Sequence, residues 1–78
     1  MILNIGIVSG EILEVFDEVK NPLTERELEV YLGHSQEKIL MSLGWLVREG
    51  FLTVEEKCGN TFFACKKEAN KEYMLINH

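Results

Sequence analysis

Basic residues are scarce in this sequence: eight Lys and Arg stand against thirteen Asp and Glu, for a formal net charge of −5. That balance disfavours nucleic acid as a partner, because non-specific DNA affinity comes largely from cations that neutralise phosphates. Only a local basic stripe, acting within a Debye length of about 10 Å, would reverse it. Cysteine and histidine are sparse too. Cys58 and Cys65 lie seven apart with no CxxC, and His34 and His78 are the only histidines, so no metal-ligand set and no Cys-His dyad is spaced as such sites require. Free thiols in a reducing cytoplasm are expected. No apolar run spans a bilayer: the longest, Ile39 to Val47, is interrupted by Ser42 and is about half the needed length. The first residues carry no basic region and meet Glu11 and Glu14 early, which argues against a secretory signal. There is also no nucleophile elbow, phosphate loop or HExxH motif, and a chain this short rarely encloses a pocket of ~300 Å³. The expectation is a cytoplasmic, non-enzymatic protein with no cofactor, no metal, no small-molecule substrate and no membrane contact.

What is present is a folded module near the lower size limit for a self-sufficient core, so burial against a partner chain would help it. Hydrophobic residues make up 46% of the chain and there is one Pro, a globular composition and not a disordered one. One domain over 1–67, with a tail over 68–78, is the expected organisation. Ile5, Val8, Ile12, Val15, Phe16 and Val19 recur at spacings of three and four, which predicts a first helix from Asn4, a candidate N-cap, to about Lys20. On its other flank Gly6 and Gly10 lie one turn apart, bordered by Leu3, Ile7 and Leu13. This smooth strip suits close packing, either by a neighbouring segment of the same chain or by a second subunit.

Asn21-Pro22 break the helix, and a strongly specified start follows. Thr24 is placed as N-cap with Glu27 closing a capping box, and Leu23 with Leu28 form a hydrophobic staple. A short helix over 25–32 should end at Gly33, and Ser35 can cap a third helix from Gln36 to about Glu49, with His34 and Ile39 as a second staple. Two short helices joined by a Gly-containing turn make a helix-turn-helix candidate. In the third helix Ile39, Leu43 and Leu46 fall on a core side, flanked by Leu40, Ser42 and Val47. The far side carries Glu37, Lys38, Met41, Gly44, Trp45, Arg48 and Glu49. After Gly50 the period becomes alternating, and a two-residue turn at Cys58-Gly59 would set Val54 opposite Phe63 and Leu52 opposite Cys65 on one hairpin surface. That register keeps the two cysteines apart, so no intrachain disulfide is expected. The other surface, with Phe51, Phe62 and Ala64, is too apolar to be freely solvated. The tail KKEANKEYMLINH is charged, then apolar over Tyr73 to Ile76; its sequence does not choose among a packed segment, an exchanged arm and a frayed end.

Three helices followed by a β-hairpin is the order of a mainly α, α+β winged helix-turn-helix. The stretch LTERELEVYLGHSQEKILMSLGWLVREGFLTVEEKCGNTFFAC resembles that superfamily, with Leu28, Leu32, Gly33, Ser35, Ile39, Leu43, Leu46 and Gly50 at the pattern positions. More narrowly, Asn4-Ile5-Gly6, the Gly6 to Gly10 spacing and LGWLVREG resemble a small bacterial family of winged-helix proteins with no established activity. Glu29, where the pattern has a small residue, and His34, where it has an apolar one, depart from it and argue against tight DNA-type docking.

The resemblance implies that a DNA-binding role would use the third helix and the wing, through Gln36, Lys38, Lys57, Lys66 and Lys67. Gln36 can pair with adenine and Lys38 can reach guanine or phosphate. Against this, Glu37 would face phosphates, and the stretch from Asn21 to Gly50 holds three basic residues against five acidic ones. Met41 and Trp45 carry little information about base edges and belong to types enriched at protein interfaces. The favoured expectation is self-association, as a homodimer, or a protein partner, through Gly6, Gly10, Met41, Trp45, Phe51 and Phe62. The alternative is a small DNA-binding regulator.

Overall fold

The computed structural model describes residues 3–66. They form, in order, α1 (Leu3–Val19), α2 (Glu25–Leu32), α3 (Gln36–Arg48), β1 (Leu52–Lys57) and β2 (Asn60–Cys65). The two strands pair as an antiparallel hairpin after three helices, the mainly helical α+β architecture expected from the sequence.

The amphipathic period of α1 buries Val8, Ile12, Val15 and Phe16. The helix begins at Leu3, ahead of Asn4, which therefore lies inside it and is not its N-cap. Packing of the half-buried Ile5 and the buried Val8 holds the first turn where a cap was expected. At the other end Lys20 takes a left-handed conformation, φ 61°, while its N–H donates to the Phe16 carbonyl at 2.9 Å. The chain then turns through Asn21-Pro22.

Leu23 has two roles. It is buried alongside Leu28, as a staple requires, and it also forms a β-bridge with Phe63 through a pair of backbone hydrogen bonds of 2.9 and 2.8 Å. The α1–α2 connection is thereby tied to the hairpin. At α2 the capping box is complete: the Thr24 N–H donates to Glu27 Oε1 at 2.9 Å, and the Glu27 N–H donates to Thr24 Oγ1 at 3.2 Å. Gly33 closes α2 at φ 73°, its N–H bonded to the Glu29 carbonyl. Ser35 caps α3 by accepting from the Lys38 N–H. Gly50, at φ 88°, ends it: the Gly50 N–H donates to Val47 and the Phe51 N–H to Leu46, the paired bonds of a Schellman motif.

The hairpin register is as expected, with Leu52 opposite Cys65 and Val54 opposite Phe63. Cys58 and Gly59 both have positive φ, 52° and 79°, the backbone of a type I′ turn. Cys58 sits in the turn and Cys65 at the far end of β2, and both are free thiols. Leu52 joins Leu28, Ile39, Leu43, Leu46 and the α1 residues in one core, with Phe63 and Cys65 packed against it. Val54 corrects the expected four-residue inner surface. It is 46% exposed, because the hairpin runs past the helices and only its base meets the core.

Candidate interaction surfaces

The outer side of α3 is where the scaffold would read a base sequence. Its capped start leaves Gln36, Glu37 and Lys38 exposed, and the next turns show Leu40, Met41, Trp45 and Arg48. Met41 is 56% exposed and Trp45 44%. The Schellman turn brings Phe51 back toward the helix, and its ring stacks on Trp45 with centroids 6.4 Å apart and planes 28° off parallel. Sequence periodicity placed Trp45 on the outside of a helix and Phe51 on the outside of a hairpin; the structure joins them. Beside this pair an open groove of ≈ 300 Å³ runs between α1 and α3, lined by Ile5, Leu40, Met41, Gly44, Trp45 and Arg48. Periodicity assigns Ile5 and Leu40 only to the core or its flank. Their part here depends on how α1 crosses α3, which no local pattern encodes.

Gly44 costs roughly 1 kcal/mol in a helix interior relative to Ala. Among the described residues no atom lies within 4 Å of where its Cβ would stand, and the same holds for Gly6 and Gly10. Close packing of a neighbouring segment against Gly6 and Gly10 is therefore absent among residues 3–66. That strip of α1 is open, and Ile7 next to it is 62% exposed. Phe62, the remaining candidate on the hairpin's outer face, is half-buried.

The basic candidates do not converge. Lys57 stands at the hairpin tip opposite Asn60. Lys66 lies at its base, its N–H bonded to the Phe51 carbonyl, six residues along the ladder or about 20 Å away. Lys67 and the apolar Tyr73 to Ile76 stretch, with His78, lie outside the described residues. On α2, which accompanies the reading helix in DNA-bound relatives of the fold, Glu25 and Glu29 are near one another. Desolvation, then the adjoining Glu29 carboxyl, push the Glu25 pKa up to about 7, against a smaller opposing pull from Arg26. This edge thus presents a hydrogen-bonded pair of acidic groups, not cations, to a phosphate backbone.

His34, placed as a staple residue by its sequence position, has a polar partner in space. Its Nε2 lies 2.7 Å from Glu11 Oε1, so the turn of the helix-turn-helix is fastened to α1. The two residues are twenty-three apart, and no local signal links them. Val30 and Tyr31 on α2 form a second exposed apolar spot, which helical periodicity in so short a helix does not mark. Among the described residues no three His, Cys, Asp or Glu gather as a metal site, and no helix is long and apolar enough to cross a membrane.

Three helices, a capped helix-turn-helix and a hairpin whose base seals the core define a winged helix-turn-helix domain. The chain belongs to the family described as "Winged helix-turn-helix domain (DUF2582)", whose model matches residues 2–65. Among solved structures it is similar to protein BT2368 from Bacteroides thetaiotaomicron, determined by NMR in solution. The TM-score is 0.75 at 23% identity, covering 85% of this chain and 79% of that one. At that identity the likeness speaks for the fold alone. No match was found among curated proteins.

Proposed function

We propose that this winged-helix domain is a non-catalytic association module of the cytoplasm whose first partner is a second copy of itself. The observation that carries this reading is the open strip of α1, where two helix-interior glycines face space that no described residue uses, beside the exposed Ile7. A second copy laid along Gly6 and Gly10 would bring backbones close and cover Ile7; the outer hairpin residues Phe51 and Phe62 are a second face that self-association could use, alone or together with the first. The added burial suits a chain of this size. Sedimentation velocity tests it: a mass that rises with concentration is expected, and a strict monomer at ~100 μM, far above the micromolar constants of modest interfaces, overturns it.

A second reading, a DNA-binding regulator, is favoured by the exposure of Gln36, Lys38 and Arg48 on α3 in a fold that often docks there. It would use Gln36, Lys38, Lys57, Lys66 and Lys67. It predicts a retarded duplex whose affinity falls steeply with salt, and no retardation at ~50 mM salt removes it.

A further inference from the structure

The groove between α1 and α3 is a separate surface from the glycine strip of α1, and the chain itself holds a fitting occupant. We propose that the apolar segment Tyr73-Met74-Leu75-Ile76 of the same chain docks into this groove and covers Trp45 and Met41.

Lys66, the last described residue before that segment, lies beside the site. Lys66 donates its N–H to the Phe51 carbonyl, the Phe51 ring stacks on Trp45, and Trp45 is one wall of the groove. From Lys66, the seven residues to Tyr73 reach up to about 25 Å when extended. The groove from Trp45 back to Leu40 covers five helical positions, only about 7.5 Å. The mostly charged stretch Lys67 to Glu72 is therefore a sufficient tether, and the apolar run begins within reach of the groove.

The chemistry of the two sides matches. The lining is apolar except for Arg48, and the residue immediately ahead of the apolar run is Glu72, which would meet that guanidinium at the groove's edge. Gly44 supplies the depth: with no atom of the described residues within 4 Å of its missing Cβ, a backbone can lie directly against α3 there. A helix that buried nothing at this face would have no use for Gly at that position. Docking thus accounts for Met41, Gly44 and Trp45 together, and for an apolar turn of sequence after a charged one.

Trp45 is the only tryptophan, so its emission reports the groove directly. In the chain of residues 1–78, Met74→Asp with Leu75→Asp is expected to shift Trp45 emission to the red and raise acrylamide quenching, with far-UV circular dichroism unchanged. Equal emission and quenching in the two proteins overturns the proposal. In the unsubstituted chain, nuclear Overhauser effects should connect the Trp45 indole to methyl groups of Leu75 or Ile76. Their absence in a folded sample overturns it without reliance on a variant. Wild-type emission should be independent of dilution; a red shift on dilution would assign the groove to a second copy and overturn docking within the chain. Sedimentation of the double variant keeps this separate from self-association, since an emission shift at unchanged mass supports the docking whether or not the chain dimerises.

Discussion

Replacing Gly10 by Ala tests whether the outer strip of α1 is as open as its geometry says. Gly10 lies in the middle of a seventeen-residue helix, is exposed, and among the described residues has no neighbour within 4 Å of an added Cβ. Ala is favoured over Gly in a helix interior by about 1 kcal/mol, in part because it restricts the unfolded chain. Nothing has to move to admit the methyl group, so the isolated chain should receive the whole gain, a rise in Tm of about 4–8 °C for a domain of this size. Thermal melts followed by circular dichroism in dilute solution, where sedimentation finds monomer, would measure it. Near ~100 μM, above the dissociation constant of a modest contact, the benefit should shrink, because the methyl group would hold the second copy away. A lower Tm in dilute solution would refute the reasoning, since it requires an atom where the structure has none. An equal gain at both concentrations would leave the strip open and remove Gly10 from the association surface.

Three further outcomes follow from local geometry. Cys58 holds a left-handed conformation in a type I′ turn ahead of Gly59, where Asn is preferred, so Cys58→Asn should raise stability by ~0.5–1 kcal/mol in urea titration. Thr24→Ala removes one half of the capping box at α2 and should cost ~1 kcal/mol by the same measurement. The Glu25 pKa is raised from 4.5 to about 7, so the folded chain holds a proton that the unfolded chain releases between those values. The group's contribution is complete below pH 4.5 and lost as pH rises through 7. Glu25→Gln should therefore be more stable than wild type at pH 8, with the difference vanishing toward pH 4; a difference independent of pH would contradict the shift.

Which features were legible in the sequence divides along the range of the forces involved. Thr24 with Glu27, Gly33, Ser35 and Gly50 act on backbone groups within a few residues, and each does in the structure what its chemistry required. The Leu52–Cys65 register followed from alternation and a two-residue turn, both local. The bridge from Leu23 to Phe63 spans forty residues, and the His34–Glu11 contact and the Trp45–Phe51 stack likewise require elements to be placed before they exist. Val54 failed for the complementary reason: alternation says which side of a strand a residue takes, and the reach of the core says whether that side is buried.

The candidate surfaces show the same division. Periodicity alone put Met41, Gly44 and Trp45 on the outside of α3 and Gly6 with Gly10 on the outside of α1, since a helix repeats its faces whatever surrounds it. Only the crossing of α1 over α3 decided that Ile5 and Leu40 complete a groove with the first three while the α1 glycines stand clear of every other described residue. Only the length of the hairpin decided that Lys57 and Lys66 stay too far apart to form a basic stripe. A sequence orders side chains around their own element, but distances between elements are set by the packing of one shared core.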